Sequence, residues 1–144
     1  MLPKWHLLFG AIFSLILYSI LPQISIFNIS LIFSSSILID FDHYIFIIKK
    51  KGRSYFNLKK SYLWHKALEK KHKPIMHIFH SIEFIVFIAI LSFYFDFFLF
   101  ILIGIVFHSL LDIIELIYEK RINCREFSLI RFLILRKKYP QRYF

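Results

Sequence analysis

Residues 7–39 carry no charge at all, and that run constrains the fold more than any other feature of the chain. As one helix, at about 1.5 Å per residue, it would be roughly 50 Å long, against a hydrocarbon slab of about 30 Å. The run must therefore turn back. Leu21, Pro22 and Gln23 mark the place, because proline cannot continue a helix and restricts the residue before it. Two spans follow, over residues 5–21 and 24–40. No small-residue cleavage pair lies between the first apolar stretch and Pro22, so that stretch reads as a retained span rather than a secretory signal.

A second apolar stretch, residues 75–117, is interrupted at Ser92, Phe93, Tyr94, Phe95 and Asp96. Read as another tight turn, this gives spans over 74–93 and 97–118. The nineteen Lys and Arg residues test the arrangement: Lys4, ten in residues 49–73 and eight in residues 120–142, with none in either turn. Under the positive-inside rule all of them face the cytoplasm. The expected architecture is all-α: a four-transmembrane-helix bundle of two hairpins, a single domain over 1–144 in the inner membrane with both termini cytoplasmic. Residues 44–73 form a basic loop. The tail, residues 120–144, alternates apolar and basic residues, is too short to span, and is expected to lie in the head-group layer.

Composition agrees. With 58% hydrophobic and 20% aromatic residues in 144, the chain has more apolar surface than a soluble core of its size can hide. A net charge of +10 then implies a lipid bilayer with anionic head groups, or a phosphate-bearing substrate, as partner. Nothing resembles a nucleic-acid module, and no direct nucleic-acid contact is expected. Cys124 is the single cysteine, which excludes an internal disulfide and a cysteine-based zinc knuckle.

The third and fourth spans are short of apolar residues. Their uncharged parts, 84–95 and 97–111, cannot supply the roughly 20 residues that a crossing needs. Completing them draws His77, His80 and Glu83 into one span and His108, Asp112 and Glu115 into the other. Each ionisable group left unpaired near the centre of a span costs about 2.5–3.5 kcal/mol, so such groups should point inward and find partners. His6 opens the first span, while Asp40, Asp42 and His43 close the second. All four sets therefore fall at one membrane face.

The spacings are helical: His108 and Asp112 stand four apart, His80 and Glu83 three apart, and each pair shares a face. Asp40 pairs with His43 if the helix persists, or with Asp42 along an extended segment if it frays. Five carboxylates (Asp40, Asp42, Glu83, Asp112, Glu115) cannot all ionise in one place without cations between them. Lysines are one source and a divalent metal is the other. A His/Asp/Glu set without cysteine suits zinc, with manganese or iron as alternatives, in one or more ions. Plainer readings stand beside this one. His6 is an interfacial histidine or a ligand, and the His108–Asp112 pair either binds metal or only holds helices together. His77 is a ligand or a neighbour; His65 and His72 are solvated in the basic loop; Glu119 and Glu126 are ordinary surface charges.

Asp40-Phe41-Asp42-His43, then His80-Ser81, then His108-Ser109-Leu110-Leu111-Asp112, with His6 ahead of the first apolar run, resembles the membrane-bound, metal-dependent hydrolase family also described as LexA-binding inner-membrane-associated putative hydrolases. That family is in turn similar to the zinc-dependent phospholipase C and single-strand nuclease group. The likeness covers residues 4–115. Ile39 stands where the family often has proline, and His72 or His77 stands for its histidine-arginine-glycine stretch. The resemblance implies His108 and Asp112 as metal ligands, with Asp40, Asp42, His43, His80 and His6 at the matching polar positions. Glu83 fits a His-Ser-x-Glu subgroup as a further ligand. It also implies a metal-dependent hydrolase; the site's place at slab depth on the cytoplasmic face then points to a phosphoester or lipid-linked substrate, with Asp40 or Glu83 positioning or deprotonating the attacking water. The alternatives are a divalent-cation-handling membrane protein, for which the outer turns offer only Asp96, and a structural or regulatory membrane protein without catalysis.

Overall fold

The computed structural model describes residues 3–68 and 75–140. It is mostly helical, in the order α1 (Pro3–Ile20), α2 (Ile26–Leu38), α3 (Phe41–Lys51), α4 (Leu58–Leu68), β1 (Ile75–Met76), α5 (Ile82–Ser92), α6 (Asp96–Tyr118), β2 (Arg125–Glu126) and α7 (Leu129–Lys138). The reversal at Pro22 is present, and Ser25 restarts the chain as α2 by accepting a hydrogen bond from the Asn28 amide at 3.1 Å, an N-cap that satisfies one of the orphan donors of a helix start.

Helix α2 does not simply end at Asp40. The amide of Asp40 turns to the carbonyl of Ile37 at 3.2 Å, where a continuous α-helix would have it bond Ser36. The chain kinks and resumes as α3. Segment Ile26–Lys51, taken through the kink, and α6 are the two helices long and apolar enough to cross a membrane. The basic segment 44–73 is largely helical, contrary to its reading as a loop: α3 runs into Lys49, Lys50 and Lys51, whose charges suit a helix C-terminus. Gly52, at φ +84, ends α3 in a conformation that glycine adopts without strain. Residues 69–74 lie outside the described residues.

The third span also differs from expectation. Its helix covers only Ile82–Ser92, because residues 75–81 are extended and 3-10 turn and Ser81 starts α5 by accepting from the Phe84 amide at 3.2 Å. The tail is not a uniform interfacial stretch. After α6 the chain reverses at Lys120, whose left-handed φ of 55° accompanies bonds from the Arg121 amide to Leu116 and from the Lys120 amide to Ile117, a Schellman closure. It then pairs β2 in parallel with β1, Ile75 opposite Arg125 and Met76 opposite Glu126.

Helices α2 and α6 make the most extensive helix pair. The reason is Gly104: a Cβ there would overlap the Ile32 carbonyl and the Ser35 hydroxyl. Small residues let helix backbones approach this closely where no hydrophobic effect drives them together. Helix α1 joins the pair through Phe13 stacked on Phe107 at 4.0 Å. The distribution of polarity is inverted relative to a water-soluble domain. Leu15, Ile20, Ile26, Phe27, Leu110 and Ile114 are exposed, while His6, Ser36, His80, His108 and Asp112 are buried. The small apolar core is Ile39, Ile88 and Ile105.

Candidate metal centre

The buried histidines and aspartates form one continuous cluster. His108 reaches it from α6 and is fully buried. Its Nδ1 lies 2.6 Å from the Ser36 carbonyl, the group that the kink after α2 leaves without its helical partner. A carbonyl can only accept, so Nδ1 of His108 carries the hydrogen, and in the neutral imidazole Nε2 presents a lone pair. His80 is fixed in the same way from the turn before α5. Its Nδ1 lies 3.3 Å from Asp42 Oδ2, an oxygen that also accepts from the Phe79 amide at 2.9 Å. Histidines that bind metals are typically oriented by such a second hydrogen bond.

The two Nε2 atoms face each other at 3.1 Å. Two imidazole lone pairs at that distance are attractive only with a proton or a cation between them. Asp40 Oδ1 stands 3.5 Å from His80 Nε2 and 3.4 Å from His108 Nε2, and Asp112 Oδ2 is 3.6 Å from each. Four ligands held about 2.0–2.2 Å from a tetrahedral ion would lie roughly 3.3–3.5 Å apart. The spacings from each imidazole nitrogen to the other and to the two carboxylate oxygens are of that size before any ion is considered.

Two adjoining groups extend the site. His6, from the first turns of α1, lies 3.0 Å from Asp112 Oδ1 and 4.0 Å from Asp40 Oδ2, stacked on the His108 ring at 3.8 Å. Neither of its buried ring nitrogens makes a well-formed hydrogen bond. His6, Asp40, His108 and Asp112 offer ligand atoms within 4.8 Å of one another. On the other side, Asp42, His43 and His77 form a second such group, and Asp40, His43 and His80 a third. His43 Nε2 and His77 Nδ1 approach Asp42 Oδ1 at 3.8 and 3.7 Å, with the two rings stacked at 3.5 Å. Asp40 Oδ1, 3.6 Å from His43 Nε2, belongs to both sides. These buried His and Asp groups could hold a metal ion.

Charge points the same way. Asp40, Asp42 and Asp112 bring three carboxylates into a volume where Arg125 supplies one guanidinium, 2.6 Å from Asp112 Oδ2. Buried carboxylates so close together need cations or protons between them. Asp40 is the most accessible of the three, its side chain 18% exposed against 9% for Asp42 and 4% for Asp112.

Seven of the residues singled out in the sequence (His6, Asp40, Asp42, His43, His80, His108, Asp112) are brought together. Glu83 is not. Its carboxylate turns away to the start of α7, accepting from the Ser128 hydroxyl at 2.6 Å and from the Leu129 and Ile130 amides at 2.9 and 3.2 Å. A carboxylate there completes a helix N-terminus and matches its dipole, so Glu83 fastens α7 rather than binding an ion or acting on water. Glu83→Gln should therefore leave bound metal unchanged while α7 is cleaved about several-fold faster in limited proteolysis, as local opening becomes easier. Elemental analysis beside the digestion time course checks both halves.

His77, ambiguous in the sequence, joins the cluster. Glu115 is partly buried and stands outside the three groups. Glu126, expected on the surface, is buried, 3.6 Å from Arg131, whereas Glu119 is exposed and pairs with Arg121. His72 lies outside the described residues, as does the side chain of His65. Arg125 could not be singled out among the basic residues of the tail. It stands thirteen residues after Asp112, a spacing without helical meaning, and only the reversal at Lys120 and the β1–β2 pairing return it.

No protein-family model, curated protein or solved structure matches the chain. The class to which the fold and the site assign it is a mostly helical protein, with two helices that could cross a membrane and a buried histidine–aspartate cluster able to hold metal.

Proposed function

We propose that the chain is a metal-dependent hydrolase embedded in the membrane, acting at the cytoplasmic face on a phosphoester or lipid-linked phosphate. The observation that supports it most directly is the approach of Asp40 Oδ1 and Asp112 Oδ2 to both His80 Nε2 and His108 Nε2, themselves 3.1 Å apart, at 3.4–3.6 Å, with both imidazoles turned inward by hydrogen bonds at their other nitrogens. The resemblance of the Asp-x-Asp-His, His-Ser and His-x-x-x-Asp elements to membrane-bound hydrolases adds to it. Zinc is the ion that this donor set suits best, with manganese or iron next. Asp40, shared between the groups, is the position from which a pair of ions would be bridged.

In the proposed arrangement four segments cross the bilayer. Helix α5 is only about 16 Å long, and residues 75–81 complete its crossing without a helix. Irregular backbone is tolerated at membrane depth where it is packed against protein or lines a polar cavity. Here the Phe79 amide is met by Asp42 and the Ile82 amide by the Phe127 carbonyl at 2.8 Å. His6, Asp40 and His108 each lie roughly 18–21 Å along their helices from the hairpin ends. The centre therefore sits inside the inner leaflet, under the lysines of α3 and the arginines and lysines of α7. A substrate with an apolar tail and an anionic head fits that depth and charge.

A bound divalent ion would supply Lewis acidity and lower the pKa of a coordinated water. The chain's own residues do the rest: His80 and His108 hold their tautomers through Asp42 and Ser36, Asp112 keeps its place against His6, and Asp40 positions the attacking water and accepts its proton.

Elemental analysis of the detergent-purified protein should find at least one equivalent of zinc, manganese or iron, which an Asp40→Ala control lacks. With metal present, a panel of phosphodiesters, phospholipids and pyrophosphates should show turnover that a chelator abolishes. Protein free of transition metal, even after incubation with each ion, would overturn the reading.

A further inference from the structure

We propose that Arg125 is the substrate-binding residue of this centre: its guanidinium holds Asp112 while no ion is bound and passes to a phosphoryl oxygen of the substrate once an ion takes Asp112 Oδ2. The proposal rests on the metal reading and names the chemical class of what binds beside the metal. Arg125 enters the cluster on β2, outside the motifs, and places Nη1 2.6 Å from Asp112 Oδ2. That oxygen is also the one turned toward both His80 Nε2 and His108 Nε2 at 3.6 Å. The same lone-pair region cannot serve a guanidinium and an ion at full strength together.

The guanidinium cannot withdraw far. The parallel pairing with β1 fixes its backbone, the side chain is 11% exposed, and its Nε is buried with no hydrogen-bond partner among the described residues. With an ion bound, two positive bodies would face each other a few ångströms apart in a poorly screened interior. One divalent ion and Arg125 together balance the three carboxylates, but guanidinium donors displaced from Asp112 Oδ2 in a buried place need another acceptor. A phosphoryl group fits best, because one of its oxygens can face the ion while others accept from the planar fork of guanidinium donors, including the unused Nε–H. Arg125 therefore acts as a cation that is exchanged for metal and then as a clamp on the anion, and a lysine, with a single point of charge, would reproduce only the first role.

The test uses the full chain in detergent and measures zinc affinity by competition with a chelator, with and without inorganic phosphate or a water-soluble short-chain phosphatidic acid. In the unaltered protein either phosphoryl ligand should tighten zinc binding about tenfold, the size expected when hydrogen bonds to a charged group form on binding. Arg125→Gln, which removes the charge and leaves a shorter hydrogen-bonding side chain, should bind zinc about tenfold more tightly alone and lose the response to both ligands; Arg125→Lys should keep near-normal zinc affinity with a weakened response. A response to phosphatidic acid alone identifies a lipid head group as the source of the phosphoryl group, and a response to both identifies the phosphoryl group itself. Weaker zinc binding in Arg125→Gln, with its circular dichroism unchanged, would show that Arg125 only positions Asp112 and would overturn the proposal. An undiminished phosphate response in that variant would do the same. Absence of zinc binding in the unaltered protein would instead bring down the metal reading itself, and this proposal with it.

Discussion

Replacing Asp40 with asparagine is expected to lower metal affinity by more than about 100-fold and, under the hydrolase proposal, to remove turnover with it. Losing even an outer partner of a ligand typically costs 10–100-fold in affinity, and Asp40 is an inner one. Its Oδ1 faces His80, His108 and His43 at 3.4–3.6 Å, so one substitution reaches both sides of the cluster. Asparagine keeps the volume and one carbonyl oxygen but removes the charge that offsets a cation, which makes the change electrostatic rather than a packing defect. The comparison is Asp96→Asn at the exposed start of α6, which should bind metal normally. Equal metal content in the two variants, measured after dialysis against a weak chelator, would show that the cluster is a hydrogen-bonded core and not a metal centre.

The second large effect is expected at a residue that offers no ligand atom. Gly104→Ala should destabilise the protein by about 1–3 kcal/mol, the range for overpacking a tight contact, and should weaken metal binding as well. The added Cβ would meet the Ile32 carbonyl, which is backbone and cannot rotate away, so α6 must move off α2. His108 lies one turn further along α6, and its bond to the Ser36 carbonyl at 2.6 Å spans the same interface. Gly10→Ala is the matched control. Its Cβ would meet a serine hydroxyl, Ser36 Oγ, at 2.6 Å, and a side chain of that kind can turn aside. Thermal unfolding in detergent, read beside zinc affinity, should show both losses in the Gly104 variant and little change in the Gly10 variant.

Glu83 and Arg125 show where sequence reasoning stopped and why. Helical spacing places Glu83 on the face of His80, and it would share that face if the helix began at His77. The helix begins at Ile82 because Asp42 takes the Phe79 amide and Ser81 caps the next turn. Residues on either side of a helix start do not share a face, so Glu83 points at α7. Arg125 had no legible signal, since a basic residue in a basic tail is indistinguishable from its neighbours until the chain's return path is known. Likewise the lysine-rich middle segment reads as a loop by its charge but folds as α3 and α4, for charge on one face does not prevent a helix from burying Ile47 on the other.

By itself the sequence determined the membrane-type composition, the reversal at Pro22, the helical character of residues 5–20, 26–38 and 97–118, and the candidacy of the Asp40–Asp42–His43, His80 and His108–Asp112 elements. These follow from local rules: apolar runs measured against helix rise, proline geometry, and the cost of leaving ionisable groups without partners. Only the tertiary structure decided that the kink after α2 frees the Ser36 carbonyl for His108, that Asp42 orients His80 with one oxygen and meets His43 and His77 with the other, and that Arg125 returns to Asp112. Those outcomes depend on contacts between residues distant in the chain, set by how closely Gly104 lets two helices approach and by a two-residue strand pairing, neither of which leaves a periodic trace in the sequence.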